Sequence, residues 1–248
     1  MTRTTVARTR EEVEALRPVW ERLAFANPEA DPDFFLELAA LRDEIVEPYV
    51  VLIERDGRGP IMIVARVEER RLETKAGYRT VHRPKLRQLA VVYSGVHGAE
   101  TEEDCELVVA TLRRALRDSK ADVVSFAKLG TESPLFKLAS AAPPPALRDH
   151  LPTALPRASV AVPDSYDEFL KARSRNTREN VKRYGKKLLR EHGEQLELTR
   201  YRDVADLDRA VAEMDLVAAK TYQRGLGVGF RDDHEGRALM RLAMERGW

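Results

Sequence analysis

The chain has 248 residues, of which 43% are hydrophobic and 33% are charged, and its formal net charge is +1. This composition is typical of a globular protein with a hydrophobic core, and the length favours one or two domains. The single cysteine, Cys105, excludes an intrachain disulfide, the first residues lack the apolar stretch of a secretory signal, and no window approaches the roughly 18 apolar residues of a membrane helix. We therefore expect a cytoplasmic protein without membrane insertion.

The first 160 residues alternate between strand and helix signals. Thr9 and Asp31 are cap residues, whose side-chain oxygens can accept the free amide hydrogens of a first helical turn. Helical spacing of apolar residues predicts helices over 9–23, with a kink at Pro18, and over 31–41, 102–118 and from 133 onward. β-Branched and alternating patterns predict strands around residue 6 and at 49–53, 61–67, 72–80, 86–93, 122–127 and 158–162, and Asp56-Gly57 predicts a hairpin turn between 49–53 and 61–67. Segment 94–98 is predicted to be a loop, and Cys105 a core residue of its helix.

A proline run at 142–146 is predicted to be an extended connector, and we place a domain boundary near residue 160. The sequence beyond it predicts a short helix capped by Ser165, a basic helix ending at Gly193, a strand at 195–198, a helix capped by Asp203, a glycine-rich loop at 225–229 and a last helix capped by Asp232 or Asp233. The order strand, helix, helix thus begins again near residue 195. We predict an α/β protein with a mixed sheet, in which domain 1–160 is a complete copy of one plan and domain 161–248 the first part of a second copy that breaks off at the end of the chain.

The segment Lys171–Arg190 concentrates positive charge. It holds nine Lys or Arg and one acid, Glu179, so its net charge of +8 leaves −7 for the rest of the chain. An apolar stripe crosses this otherwise charged helix, formed by Val181, Tyr184, Leu188 and Leu189. Cations at steps of three or four positions line one side of it, namely Arg175, Arg178, Lys182 and Lys186. One interpretation is a solvated helix whose stripe docks on the core, and the other is a binding surface for an anionic partner.

Three segments carry a resemblance to a known family. They are Leu16-Arg-Pro-Val-Trp-Glu-Arg-Leu23, Ser174-Arg-Asn-Thr-Arg-Glu-Asn-Val-Lys-Arg183 and Lys220-Thr-Tyr-Gln-Arg-Gly-Leu-Gly-Val-Gly-Phe230. With the element order, they resemble the double-domain branch of the GNAT superfamily of acyltransferases. That branch includes acetyltransferases of cellulose and exopolysaccharide biosynthesis and is related to the Fem-type peptidyltransferases. The resemblance covers nearly the whole chain and is stronger after residue 160.

The resemblance implies an enzyme with a GNAT-like fold that transfers an acyl group from a thioester. The donor would be acetyl-CoA, or aminoacyl-tRNA as in the Fem-type relatives, and the acceptor an amine or hydroxyl of an anionic small molecule or a saccharide-linked molecule. No nucleophile motif such as Gly-x-Ser-x-Gly occurs, so direct transfer is preferred over a covalent acyl-enzyme. The five histidines are dispersed and none pairs with the cysteine, so no metal is expected.

The chain departs from the family pattern at the loop that would bind the pyrophosphate of the coenzyme. In the family, a glycine-containing loop at a helix N-terminus presents free amides to the phosphates. Here the corresponding segment is 93–104, and four acids follow its glycines: Glu100, Glu102, Glu103 and Asp104. These charges would repel a pyrophosphate, so we expect no coenzyme binding in the first domain. In the second domain the loop would lie after Trp248, and we therefore expect no acetyl transfer by this chain.

Seven residues are predicted to bind the acceptor. Arg and Lys side chains would hold an anion on the basic helix and in the block before the glycine-rich loop, where Tyr222 could line the site. The seven residues are Arg175, Arg178, Lys182, Lys220, Tyr222, Arg224 and Arg231. For Tyr222 and Arg224 the alternative is structural, with Gly225 ending the helix and the arginine placed at the negative end of its dipole.

The catalytic base is not identified from the sequence. His97, in the loop before a helix, is a candidate base, and the alternative is an exposed loop histidine. The resemblance implies Glu54 as a second candidate, because GNAT enzymes sometimes place a base in this hairpin strand, and the alternative is an exposed strand residue. Two alternatives to an acyltransferase stay open. The first is a nucleic-acid-binding module that uses the basic helix to hold tRNA, which would need exposed aromatic side chains among the cations. The second is a non-catalytic scaffold domain.

Overall fold

The computed structural model describes residues 2–23, 27–71, 73–76, 79–148, 154–158 and 161–248, with the backbone alone for 74–76. The chain divides into two compact units: unit 1 contains residues 1–151 and 202–248, and unit 2 contains residues 152–201. The boundary predicted near residue 160 lies inside unit 2. Residues 202–248, which the sequence assigns to a second domain, belong to unit 1.

Unit 1 is built on a five-stranded mixed sheet. Its strands are β1 (Thr2–Ala7), β2 (Ile45–Arg55), β3 (Arg58–Arg71), β6 (Lys85–His97) and β7 (Val123–Phe126), while β4 (Thr74–Ala76) and β5 (Arg79–His82) form a separate hairpin. The order across the sheet is β1-β2-β3-β6-β7. Neighbouring strands are antiparallel except β6 and β7, which are parallel. The predicted mixed α/β class is confirmed.

Eight helices of the described chain belong to unit 1 and two to unit 2. Those of unit 1 are α1 (Arg10–Ala15), α2 (Arg17–Trp20), α3 (Pro32–Leu41), α4 (Glu102–Asp118), α5 (Pro134–Ala141), α8 (Leu207–Ala219), α9 (Tyr222–Gly225) and α10 (His234–Arg246), and those of unit 2 are α6 (Tyr166–Lys171) and α7 (Arg175–His192). The predicted caps at Thr9 and Asp31 are confirmed, and Asp233 is the cap of α10. The helix predicted over 9–23 is two short helices, because Pro18 lacks an amide hydrogen and stands in the first turn of α2.

The sheet is covered by helices on both faces, which gives three layers. On β3, Ile61 and Ile63 point to one face and Met62 and Val64 to the other, and all four are completely buried. Residues of α4 and α5 cover the first face, including Cys105, whose predicted core position is confirmed. Residues of α1 to α3 cover the second face, including Trp20 and Phe35. Because both faces are covered, β2 and β3 have nearly continuous apolar runs instead of alternation.

The C-terminal helix α10 is attached to α3 and the segment that follows it. Arg42 donates two hydrogen bonds to Glu235, from Nε to Oε2 over 3.0 Å and from Nη2 to Oε1 over 2.6 Å. At the other end of α10, Nη1 of Arg246 lies 3.1 Å from Oδ2 of Asp33. These ion pairs, which join residues about 200 positions apart in sequence, place 202–248 in unit 1.

Three predicted segments differ in the structure. Segment 94–98, predicted as a loop, continues β6 as far as His97. The strand predicted at 195–198 is absent: Leu196 and Leu198 are 52% and 86% exposed, and no described strand pairs with them. The strand predicted at 158–162 lies partly outside the described residues, and 161–162 are not in a strand. A period-2 pattern is compatible with a strand, but a strand also needs a partner for its amides and carbonyls.

Unit 2 contains one long helix, α7, whose side chains lie at the surface. Only Leu170 of α6, at 9% exposure, is buried among the described residues of this unit. Ser174 caps α7 by accepting a hydrogen bond from the amide of Thr177. The predicted basic helix ending at Gly193 is confirmed.

Candidate functional site

The pairing of strands β6 and β7 ends in the middle of β6. The two strands pair from Gln88 and Val123 to Val91 and Phe126, and the amide of Ala127 donates to the carbonyl of Val91 over 3.0 Å. Strand β6 then continues to His97, whereas β7 ends. Within the described chain, no strand lies along this flank of β6 beyond Val91. The sheet is therefore open on one side at the carboxyl end of its only parallel pair.

A bulge in β6 lies beside this opening. Ile63 of β3 pairs with Val96, but Ala65 pairs with Val91, so Val64 alone stands opposite residues 92–95. Ser94 has a φ of 57°, a left-handed conformation that non-glycine residues rarely adopt. The extra residues in β6 bend the strand and turn it away from β7. The bulge is the physical reason why 94–98, with turn-like sequence, is part of a strand.

The two glycines of this segment are required by packing against β3. A Cβ atom on Gly95 would lie 2.6 Å from the carbonyl oxygen of Val64. A Cβ atom on Gly98, which has a φ of 71°, would collide with the carbonyl oxygen of Pro60. The sequence suggested that these glycines could let the backbone approach a phosphate. Close contact with the neighbouring strand accounts for both of them without a ligand.

An aromatic residue and a cation flank the opening. Tyr93 follows the last paired residues of β6, and Lys128 follows β7 with a φ of 56°. The Nζ atom of Lys128 lies 4.8 Å from the centroid of the Tyr93 ring, within cation–π range. Sequence reasoning missed this pair because the two residues are 35 positions apart and only the parallel pairing of β6 with β7 brings them together.

The N-terminus of α4 is closed by its own side chains. Thr101 and Asp104 form a capping box, and Asp104 Oδ2 accepts hydrogen bonds from the amides of Glu100 and Thr101 over 3.1 and 3.2 Å. Arg55 is ion-paired to the same carboxylate, which is only 6% exposed. Burial opposes ionisation of Asp104, but the hydrogen bonds from Thr101 and Glu100 hold its pKa below the ordinary value.

This closure bears on the expected phosphate site. An anion binds at a helix N-terminus through amides without partners and through the positive end of the dipole. Here a carboxylate of the protein accepts the amides of Glu100 and Thr101, just before the helix, and the amide of Asp104 donates to Oγ1 of Thr101. Two exposed acids, Glu102 and Glu103, stand in the first turn. The start of α4 therefore carries negative charge at the positive end of the helix dipole.

The three predicted residues of α7 differ in their contacts. Arg175 Nε donates to Glu179 over 2.7 Å, one turn along the helix. Arg178 is half-buried, and its Nη1 donates to the carbonyls of Lys171 and Arg173 near the end of α6, over 3.2 and 3.0 Å. Lys182 is exposed and has no ion pair within the described part of the chain. Arg178 thus joins two helices, while Lys182 is available to a partner.

The four predicted residues after α8 belong to unit 1. Arg224 is ion-paired with Asp215, which also accepts a hydrogen bond from the amide of Asp232 over 3.3 Å. Arg224 therefore holds the glycine-rich loop against α8, in agreement with a structural role. Lys220 and Arg231 are exposed, and Tyr222 is 79% exposed. The predicted residues of α7 lie in unit 2.

The two residues considered as a base have different surroundings. His97 is only 6% exposed at the end of β6, so it is a buried strand residue and not the exposed loop histidine of the alternative interpretation. Glu54 is exposed on β2, with its Oε2 3.9 Å from Nε of Arg3 on the edge strand β1.

No helix in the described part of the chain combines the length and the apolar character needed to cross a membrane. The described residues also contain no cluster of three or more metal-binding side chains. Comparisons with protein-family models, with curated proteins and with solved structures give no match for this chain.

Proposed function

We propose that the chain is a GNAT-type acyltransferase component in which unit 1 is a non-catalytic copy of the fold. The overall reaction would transfer an acyl group, acetyl from acetyl-CoA, to an amine or hydroxyl of an anionic or saccharide-linked acceptor. The observation that carries the proposal is the sheet: a single parallel pair, β6 and β7, parts beside a bulge in an otherwise antiparallel sheet. This arrangement fits the fold that the sequence motifs resemble.

The region of unit 1 where the acyl donor would bind supports a non-catalytic role for this unit. The open flank of β6 has the geometry to pair with an extended, amide-containing ligand, as an added strand would. The charged end of acetyl-CoA would then meet the N-terminus of α4, where Asp104 accepts the amides of Glu100 and Thr101. A site that cannot hold the pyrophosphate loses most of the charge-assisted bonds that a coenzyme offers. Unit 1 is therefore proposed as a scaffold for the acceptor and not as the donor site.

The proposed binding of the acceptor depends on exposed cationic side chains. Of the seven predicted residues, Arg178 and Arg224 are bound within the protein. Of the other five, Lys220, Tyr222 and Arg231 of unit 1 are proposed to contact the acceptor, and Arg175 and Lys182 of unit 2 are proposed as a separate anion-binding group. Lysine and arginine would hold carboxylate or phosphate groups, and the exposed ring of Tyr222 would stack on a sugar.

Calorimetry with two ligands tests the proposal. Acetyl-CoA is expected to show no micromolar binding and no release of free thiol with amine acceptors. An oligosaccharide of uronic acids is expected to bind, and Lys182→Gln to weaken it several-fold, whereas Lys137→Gln, an exposed lysine of α5, serves as the matched control. Micromolar binding of acetyl-CoA would overturn the non-catalytic role, and absence of oligosaccharide binding would overturn the acceptor role.

A further inference from the structure

Helix α7 presents an apolar stripe to solvent. With about 100° between successive residues of an α-helix, Val181, Tyr184 and Leu188 lie within about 60° of one another. They are 38%, 60% and 46% exposed. Leu189, assigned to the same stripe from the sequence, lies about 100° further round the helix. The stripe does not dock on the core of unit 2, so the first interpretation of the sequence, a helix seated by its apolar side, is not what the structure has.

The rest of the surface of α7 is mainly cationic. Between Arg175 and His192 the helix carries seven Lys or Arg and two Glu. Arg178 and Lys187 lie about 90° to either side of the centre of the stripe, and the other cations lie further round. Glu191 lies about 50° from the centre, with its Oε2 4.0 Å from Nζ of Lys187. Like charges at steps of three and four positions, such as Lys182 and Lys186, oppose helix formation in water. Both the stripe and the cations are thus features that a suitable partner would stabilise.

We propose that α7 binds the surface of a bilayer containing anionic phospholipids, lying parallel to it with the stripe inserted. An interfacial helix of this kind has an apolar face, flanking Lys or Arg and a strongly charged remainder. Val181 and Leu188 would enter the acyl boundary and Tyr184 would sit at the headgroups, where its amphipathic ring is favoured. Lys187 would meet the lipid phosphates, because a side chain beside the stripe points along the surface, whereas Arg178 on the other side holds the end of α6.

Charge and chemistry favour this partner over two others. A second copy of α7 could cover the stripe, but it would bring together two helices that are both strongly positive. RNA would satisfy the cations and could stack on Tyr184, but its polar surface gains nothing from covering valine and leucine side chains. A lipid surface satisfies both the cations and the aliphatic residues.

The inference goes beyond the proposed acyl transfer and does not depend on it. Arg175 and Lys182 lie well over 100° from the centre of the stripe. They would face away from the lipid and remain open to an acceptor while the helix is bound. Vesicle binding can therefore fail while acceptor binding succeeds, and the reverse.

Cosedimentation of the full chain with vesicles tests the inference. One set of vesicles contains phosphatidylcholine alone and the other an equal mixture with phosphatidylglycerol. The informative variant is Leu188→Asn, and the matched control is Leu189→Asn, the same substitution at the next position and outside the stripe. Both leucines are exposed, so neither change removes a core residue, and circular dichroism checks that the helix content is unchanged.

We expect binding to the anionic vesicles, loss of binding with rising salt, and little binding to phosphatidylcholine alone. Leu188→Asn should weaken binding about tenfold, as expected when one leucine side chain is no longer buried. Leu189→Asn should change it less than about twofold.

Three results would overturn the inference. The first is absence of binding to the anionic vesicles. The second is an equal effect of the two leucine variants, which would indicate attraction by charge alone. The third is displacement of the protein from vesicles by tRNA with tighter binding to the tRNA, which would make the helix a nucleic-acid site.

Discussion

Replacement of Asp104 by alanine is expected to destabilise unit 1 strongly. The carboxylate accepts the amides of Glu100 and Thr101 at the start of α4, and it is the acidic partner of Arg55. Side chains of Arg55 and Asp104 are only 11% and 6% exposed. The variant would therefore remove a helix cap and leave a nearly buried guanidinium without its counter-charge.

The magnitude follows from these two losses. Loss of a cap costs about 1 kcal/mol, and breaking a buried ion pair about 3–5 kcal/mol. Arg55 keeps hydrogen bonds to the carbonyl oxygen of Gly59, from Nε over 3.0 Å and from Nη2 over 2.6 Å, which lowers the second cost. We expect a total of about 3 kcal/mol, equivalent to a fall in melting temperature of about 6–12 °C for a unit of this size.

Urea denaturation of Asp104→Ala and of Glu103→Ala measures the effect. Glu103 has the same charge, stands in the same helical turn and pairs with Arg58, but its side chain is 74% exposed. Its removal should cost less than about 1 kcal/mol. The pKa of Asp104 is held below its ordinary value of 3.8, so the contribution is present at neutral pH and is lost as the pH falls through the pKa in the folded state. Equal destabilisation by the two variants, or a difference in their free energy of unfolding that persists at acid pH, would contradict this role of Asp104.

Three further predictions concern unit 1. Gly98→Ala should destabilise the protein by more than Gly57→Ala, because both glycines have a φ of 71° but only the first would place a Cβ atom against a neighbouring strand; thermal melts of the two variants test the difference. Arg42→Met should increase hydrogen exchange in α10 and leave the exchange of β3 unchanged. Because the hydrogen bond from Arg42 lowers the pKa of Glu235, the same loosening should appear in the wild type only as the pH falls through this lowered pKa and the carboxylate is protonated. Trp20→Phe should cost about 2 kcal/mol in urea denaturation, since it removes a fully buried indole whose Nε1 donates to a carbonyl over 2.9 Å; a cost under about 0.5 kcal/mol would contradict the packing described for this face of the sheet.

Local signals in the sequence predicted most of the elements of unit 1. Helix α4 begins and ends at the predicted residues, because a capping box marks its start and four apolar residues at helical spacing, Cys105, Val108, Leu112 and Ala115, form its buried side. Strands β2 and β3 were predicted as a hairpin because their β-branched runs flank Asp56-Gly57, and Gly57 adopts the positive φ that the turn requires. In each case the determining interactions lie within a few residues of one another.

Features that depend on distant residues were not predictable in this way. The bulge of β6 depends on contact with Val64 of β3, which the local sequence does not show. Gly95 was therefore predicted to lie in a loop. Attachment of α10 to unit 1 depends on the pairing of Arg42 with Glu235, which no short-range pattern indicates. Of the predicted acceptor residues, Arg224 has a structural role because it is ion-paired with Asp215. A single sequence gives the type of a side chain but not its long-range partner.

We propose that unit 1 is a non-catalytic copy of an acyltransferase fold, and that exposed cations bind an anionic acceptor. Hydrogen-exchange mass spectrometry of the wild type, with and without a uronic-acid oligosaccharide or acetyl-CoA, tests both parts in one data set. We expect slower hydrogen exchange over 175–192 with the oligosaccharide and no change over 98–106 with acetyl-CoA. Slower exchange over 98–106 with acetyl-CoA, or no effect of the oligosaccharide on 175–192, would contradict it.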